Sequence, residues 1–523
     1  MALKTLFASA TKALTAKGKN EAGGTAYEFT PSHALAQYAA TGTFNRTFYA
    51  TEGEQLERVL ELCRAVDPVF VAKTAVYARE RARMKDMPAF LLAYLAAVDV
   101  RLLSLVFDRV IDNGKMLRNF VQIVRSGVVG RKSFGTAPKR LVRTWFDKRT
   151  PAALFRQSIG NDPSMKDVIK MLRPSPVVNG VADAEREALY GYLIGKDVAF
   201  ERLPAVVQTF EAFKSGSPEV PDVPFEMLTA LPLSREMWMQ IARRMSFTQL
   251  RMNLNTLLRH GVFEHRDMID FAAARLSDPD AVRKARVFPY QLLAAYTAAQ
   301  ATLPNELALA LQLALEVSIE NVPAVPGKVY VCPDVSGSMQ SPVTGHRKGS
   351  SSKVRCVDVA GLVAAAFLRR NQTAEVIPFS DDVVSMSRRL NPLDSVMTNA
   401  AFLASLPSGG TACSAPLRHL NKHKAEGDLV IYVSDNQSWA DFGVSQRATP
   451  MAEEWERFRK RSPNAKLVLI DVQPYGSTQV SERADVLNVG GFSDSVFEVV
   501  SLFAKGELDA EHWVGEIEKV ALA

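Results

Sequence analysis

Two hydrophobic periodicities divide this chain, and they admit different architectures. From about residue 50 to residue 320, apolar side chains recur at helical spacing, as in 55–66, 88–107 and 286–301, which gives each helix one apolar stripe to bury. Pro88, Pro138, Pro174, Pro204, Pro224 and Pro289 punctuate the run, and no alternating strand pattern stands out within it. Short one-striped helices are stable when stacked, so HEAT-like repeats are expected, with a compact helical bundle as the alternative. At ~40 residues per unit, ~270 residues hold six or seven.

After Pro323 and Pro326 the pattern changes. Short apolar runs at 328–332, 374–379, 429–433 and 466–472 read as buried strands, with helices at 355–369 and 451–461 between them. Such alternation specifies a doubly wound parallel sheet. The expected fold class is therefore multidomain: an α region followed by an α/β domain. The length of 523 residues also requires more than one core. The expected divisions are an N-terminal tail over 1–20, a helical-repeat domain over 21–322 and an α/β domain over 323–523.

Ligands of open parallel sheets bind where strands end at their carboxyl edge. The first strand runs into Asp334-Val-Ser336-Gly-Ser338, which sets a carboxylate and two hydroxyls at alternate positions of a tight turn. Thr411 follows Gly409 and Gly410 in a loop, and Asp435 ends the run 429–435. A set of carboxylates and hydroxyls suits magnesium, a hard cation that gives up its water reluctantly, with manganese or calcium as substitutes. With few carboxylates the ion stays underneutralised and can take an acidic side chain or a phosphate oxygen from a partner. The constellation is thus expected to be a metal-dependent adhesion site.

Charge is unevenly placed. Residues 1–320 carry 42 Lys and Arg against 33 Asp and Glu, and between Lys115 and Arg173 there are 14 against three, an excess of +11 over a whole-chain net charge of +7. A stretch that repels itself this strongly is explained by a polyanionic partner, with an ordinary solvated helical face as the alternative.

Other chemistries lack their residues. The four cysteines (Cys63, Cys332, Cys356, Cys413) are scattered, without a Cys-x-x-Cys pair, which argues against a zinc site or a disulfide framework. The N-terminus has lysines but no sustained apolar run, and no stretch approaches the ~20 apolar residues of a membrane helix. A cytoplasmic protein without membrane association is expected. The phosphate-binding loop, His-Glu-x-x-His and Gly-x-Ser-x-Gly frames are absent. No histidine is placed by a motif to activate Ser336 or Ser338, and two-metal nuclease chemistry needs more carboxylates than Asp334 and Asp435, even with Asp381 and Asp382 nearby. A noncatalytic protein is expected.

Several motifs together resemble the TROVE-domain family, whose fold is a ring of HEAT-like repeats closed by a von Willebrand factor A domain. In the second half the resemblance rests on the segments 332–339 (CPDVSGSM), 378–381 (PFSD), 409–414 (GGTACS), 432–436 (YVSDN) and 490–493 (GGFS). In the first half it rests on 285–294 (ARVFPYQLLA), 164–170 (SMKDVIK), 139–145 (KRLVRTW) and, more weakly, 245–254 (MSFTQLRMNL). Met165 stands where the family has a histidine, so a contact made by that histidine is not expected here. This departure, with others, suggests a diverged bacterial member.

The resemblance implies binding of small noncoding Y RNA on an outer basic surface, and of single-stranded ends of misfolded or precursor structured RNA in a central hole. It further implies a role in RNA quality control or processing with a 3′ to 5′ exoribonuclease. By motif position the RNA-contacting candidates are Lys139, Arg140, Lys166 and Lys170, with Arg143, Lys148 and Arg173 added on charge alone. Trp145 and Phe146 are considered as stacking platforms, although core positions suit them better. The contrasting expectation is a metal-dependent protein-protein adhesion scaffold without direct RNA binding.

Overall fold

The computed structural model describes residues 18–42, 44–160, 163–285, 287, 289–299, 302–320, 322, 324–325, 327–346, 354–441, 448–491, 494–508 and 512–522. The expected tail up to residue 17, Asp162, Arg286, Ala301, Pro323, Pro326, Phe492 and Ser493 lie outside the described residues. The chain forms two compact units that do not follow chain order. A helical unit takes residues 63–285, 299–310 and 520–523, and a sheet unit takes residues 1–62, 286–298 and 311–519. The segment before residue 63 thus groups with the sheet, whereas the sequence pattern joins residues 21–322 to the helices. Local strand pairing explains it: Tyr27 and Glu28 pair antiparallel with Thr478 and Ser477.

In the helical unit, helices pack chiefly on helices near them in sequence. Pro68–Glu80 lies against Asp86–Val98 and Val100–Val110, Asp86–Val98 also against Gly114–Ser126, and Met165–Leu172 against Ala184–Ile194. This nearest-neighbour packing is how helical-repeat stacks are built. The single helix expected over 88–107 is two, because Asp99 leaves the helical conformation (φ −150°, ψ 97°) and its carboxylate accepts from Arg101 N and Leu102 N. A capping acid inside an apolar run costs nothing in periodicity, so the pattern carries across it. The expectation of no strand also fails locally. Val177–Val178 pairs with Val181–Ala182 around Asn179 and Gly180, both at positive φ, the Asn-Gly hairpin turn.

Three helices of this unit position its charges. Helix α1 (Gly114–Ser126) is capped by Asn113, buries Met116, Leu117, Phe120, Val121 and Val124, and ends on Gly127 at φ 81°. Helix α2 (Thr136–Asp147) buries Pro138, Val142, Trp145 and Phe146. Helix α3 (Met165–Leu172) opens with a reciprocal cap between Ser164 and Asp167, buries Met165, Val168, Ile169 and Leu172, and ends at Arg173 in the left-handed region. Apolar stripes at this spacing leave the lysines and arginines on the opposite faces.

The sheet unit is built on five parallel strands, β1 (Val329–Pro333), β2 (Glu375–Val376), β3 (Leu429–Ser434), β4 (Lys466–Asp471) and β5 (Val486–Gly490), in the order β5-β4-β3-β1-β2. The expected strand over 374–379 is only two residues long, joined further on by a single bridge from Phe379 to Asp334. β5 is a strand the sequence pattern passed over, because Asn488 interrupts its apolar run; that side chain is buried and satisfied by Glu482, Val480 and Thr478. The helices Cys356–Arg370 and Pro450–Arg459 fall close to their expected places. A core of Tyr330, Cys332, Phe379, Cys413, Tyr432, Trp455, Phe458, Leu467 and Leu469 fills one side of the sheet.

Candidate metal centre and basic cavity

The strand order places one site without further assumption. From β1 the chain crosses to β2 on one side, and from β3 to β4 on the other, so the crevice opens between the carboxyl ends of β1 and β3. Asp334 follows β1 directly and Asp435 follows β3 directly. Asp334, Ser336, Ser338, Thr411 and Asp435 are all buried, none more than 5% exposed.

Their mutual bonds are local and short. Ser336 N donates to Asp334 Oδ1 at 2.8 Å, Ser434 Oγ donates to Asp334 Oδ2 at 2.5 Å, and the Ser336 and Ser338 hydroxyls lie 3.4 Å apart. Gln437 N donates to Asp435 Oδ1 at 3.2 Å. Gly337 N donates to Gly409 O at 3.0 Å, which ties the Asp-x-Ser-x-Ser turn to the loop carrying Thr411. A Cβ on Gly409 would lie 2.3 Å from Asp381 Oδ1, so a side chain there would push that carboxylate aside.

Two acids brought together in the dry interior hold their protons more tightly than usual. Burial raises the Asp334 pKa, and the neighbouring Asp435 raises it further. Burial likewise raises Asp435, partly offset by a hydrogen bond to Ser338. Both carboxylates therefore lack a compensating cation in their surroundings, and two carboxylates with three hydroxyls are the oxygen donors a hard divalent ion takes. The donor set fits such an ion. Among the described residues no cluster of three or more His, Cys, Asp or Glu adds a second candidate.

Sequence reasoning missed two contributors to this site. Ser434, which bonds Asp334, reads in the sequence only as the end of a strand. Burial, followed by the charge of Asp435, pushes the Tyr49 phenol up to about 12, and neighbouring Ser338 works in the opposite direction. No local signal links a residue nearly 300 positions away to this turn.

The helical unit carries a second candidate. Arg125 at the end of α1, Lys132 in the following loop, and Lys139, Arg140 and Arg143 on α2 line an open cavity of about 700 Å³, with Met171 and Leu172 of α3 and Phe134 as its apolar wall. Three of the seven expected RNA contacts, Lys139, Arg140 and Arg143, are thus brought together. Lys166, Lys170 and Arg173 are exposed on or just after α3 but do not line the cavity. Lys148 sits at the far end of α2 and is ion-paired with Asp108. Among the described residues no carboxylate pairs with the other six, although Arg143 Nε also donates to Leu172 O at 2.8 Å.

Several members of the basic excess serve the fold instead. Arg118 donates to Ile159 O, Arg131 donates to three backbone carbonyls, and Arg156 pairs with Asp222 at 2.6 Å. Arg149 stacks 3.6 Å over the Trp145 ring. Arg125 and Lys132 were covered by the charge count, but only folding turns them onto the same side as α2. Trp145 and Phe146 are fully buried, and Trp145 Nε1 donates to Ile111 O at 2.8 Å. They are core residues, so the stacking role considered for them is overturned.

Comparison with known proteins bears on both regions. Residues 182–327 match the TROVE domain model, and residues 328–504 match the model of the Ro60 vWA domain. The chain belongs to the Ro family. Its two family domains adjoin, and the basic cavity lies ahead of the stretch matched as TROVE. The chain is 23% identical to the RNA-binding protein RO60 of Deinococcus radiodurans, an alignment covering 94% of this chain and 96% of that protein. It is 24% identical to the RNA-binding protein RO60 of Caenorhabditis elegans over 50% of this chain and 41% of that one. The crystal structure of the Deinococcus radiodurans RO (RSR) protein superposes with a TM-score of 0.61 at 20% identity, covering 92% of this chain and all of the other. That likeness shows a shared Ro fold. No helix among the described residues is long and apolar enough to cross a membrane.

Proposed function

We propose that this chain is a noncatalytic RNA-binding protein of the Ro type, whose helical unit holds RNA phosphates on the basic cavity and whose sheet unit carries a divalent cation. The observation that carries the first part is the convergence of Arg125, Lys132, Lys139, Arg140 and Arg143 on one open cavity. Among the described residues none of these five is ion-paired to a carboxylate, although Asp147 and Asp167 act on Arg143 and Arg125 from a distance. Cations that converge in this way leave a positive potential that a phosphodiester backbone relieves, releasing counterions as it binds. The names of the relatives, RNA-binding protein RO60, support the same class of ligand. Within that class, small noncoding Y RNA and misfolded or precursor structured RNA are the proposed ligands, presented to a 3′ to 5′ exoribonuclease.

Magnesium is the ion proposed at Asp334, Ser336, Ser338, Thr411 and Asp435, where it would neutralise the two buried acids. This is a charge-compensating role that requires no chemistry on the RNA. Sequencing the RNA that copurifies with the protein, followed by incubation of labelled RNA with magnesium, tests the proposal. The expected result is enriched small structured RNA that is retained uncleaved, with an affinity that falls steeply as salt rises. Cleavage that disappears in Asp334→Ala would replace this reading with a nuclease, and salt-insensitive RNA binding would remove the cavity from it.

A further inference from the structure

An adhesion site needs its ion within reach of a partner's carboxylate, and here the N-terminal segment of the same unit is bonded to the loops that follow the donor turns. The segment is tied down along its length. Asn20 Nδ2 donates to Ser438 O at 2.6 Å and Glu21 N to Gln437 Oε1 at 2.8 Å. Gly24 comes so close to Ser438 that a Cβ on it would lie 2.0 Å from the Ser438 carbonyl oxygen. Farther on, Asn45 Nδ2 donates to Thr344 O at 2.9 Å, and His346 N donates to Arg46 O at 2.7 Å. Gln55 Nε2 donates to Thr47 Oγ1 at 3.0 Å. Residues 436–438 follow Asp435, and residues 344–346 follow the Ser336–Ser338 turn, so both anchors flank the ion-binding donors.

Just after the second anchor comes Tyr49, which is half-buried. Its ring meets Tyr475 edge-on with centroids 5.4 Å apart, and its hydroxyl is close enough to Ser338, Asp334 and Asp435 for all three to act on its proton. Tyr475 is itself buried and donates to Gln473 Oε1 at 2.9 Å, while Gln473 donates to Pro342 O at 3.0 Å, so the ring beneath Tyr49 is held from both sides. With this cover in place the five donors are no more than 5% exposed.

We infer that Tyr49 is a positioning residue of the cation site, which closes it from within: a hydroxyl of the chain itself takes the approach that a partner's carboxylate would need. The inference rests on the reading that a divalent cation is held by Asp334, Ser336, Ser338, Thr411 and Asp435. A neutral phenol suits the role because it can hold a water or an oxygen of the ion's shell without adding a third negative charge to a buried pair of acids. The site is then a structural one that fastens the N-terminal segment to the carboxyl edge of the sheet.

Terbium, an oxygen-seeking surrogate whose emission is sensitised by nearby tyrosine, reads both claims in the full-length protein after removal of magnesium. The expected result is tyrosine-sensitised emission that Asp334→Ala abolishes and that drops in Tyr49→Phe, while directly excited emission shows terbium still bound. Addition of acetate should leave the wild-type emission lifetime unchanged but lengthen it in Tyr49→Ala, where a carboxylate can displace about one bound water. A wild-type lifetime that responds to acetate as Tyr49→Ala does overturns the closed site while leaving the cation reading standing; the acetate response decides because Tyr475 and Trp439 also lie near the site and sensitise terbium. If wild type binds no terbium that Asp334→Ala removes, the cation reading falls as well. Tyr49→Phe retains the ring that packs on Tyr475, so a loss of sensitised emission there is not a loss of folding.

Discussion

The two units treat charge in opposite ways. In the sheet unit, Asp334 and Asp435 are withdrawn from water, held by serine hydroxyls and backbone N–H groups, and forced together at the carboxyl ends of β1 and β3. In the helical unit, Lys139, Arg140 and Arg143 line an open cavity beside Phe134, Met171 and Leu172. Buried charges are costly until something of opposite sign sits among them, so the sheet site is short-ranged, stoichiometric and sensitive to pH. Exposed cations cost little and act through a field, so the cavity is tolerant of ligand and sensitive to salt.

Reversing Lys139, Arg140, Arg143 and Lys166 together to Glu should lower RNA affinity by about two orders of magnitude or more at moderate salt, and flatten the dependence on salt by about one unit of slope for each phosphate left unneutralised. Fluorescence anisotropy with labelled RNA across a salt series measures both, and an unchanged slope would move the RNA elsewhere on the molecule.

Trp145→Ala should cost about 3–5 kcal/mol of stability in denaturant titrations, because it empties a fully buried site and strands the Ile111 carbonyl that its indole N–H satisfies. If the variant instead kept its stability and no longer bound RNA, the core assignment of this residue would be wrong.

The sheet unit should respond to pH where the cavity does not. Burial raises the folded-state pKa of Asp334 and Asp435 above the ordinary carboxylate value, and the charge of Asp435 raises Asp334 further. The folded state therefore binds more protons than the unfolded chain as pH climbs past the usual carboxylate range, and stability falls with rising pH across that window. Glu482, pushed up to about 8 by burial, adds to the same trend. In metal-free protein the melting temperature should decline from mildly acidic to neutral pH, and magnesium should remove the part of the decline that Asp334→Asn also removes. A magnesium effect equally large in Asp334→Asn would place the ion outside this crevice.

The smallest effect belongs to Lys148→Ala. Its ion pair with Asp108 joins two half-exposed side chains, a type of interaction worth about 0–1 kcal/mol. Unfolding midpoints and RNA affinity should both stay near wild type, whereas a fall in affinity comparable to that of the α2 cavity residues would extend the RNA surface along the whole helix.

A linear pattern of residues encodes what depends on near neighbours and on residue type. Helical and strand periodicities are written in spacings of three, four or two positions, and so the architecture of each half, the strand ends at Asp334 and Asp435, and the surplus of cations between Lys115 and Arg173 were all legible. Caps and turns were legible in principle too, since Asp99 and Asn179-Gly180 act locally, although an apolar pattern runs past them. Convergence of distant residues arises in three dimensions alone. Arg125 and Lys132 join Lys139, Arg140 and Arg143 because α1, α2 and the loop between them pack in one relative rotation, which no single helix specifies. Tyr49 reaches Ser338 because the N-terminal segment is held to the sheet unit by hydrogen bonds spanning hundreds of residues. Such long-range closure is set by the balance of packing across the whole unit, and a one-dimensional pattern carries no record of it.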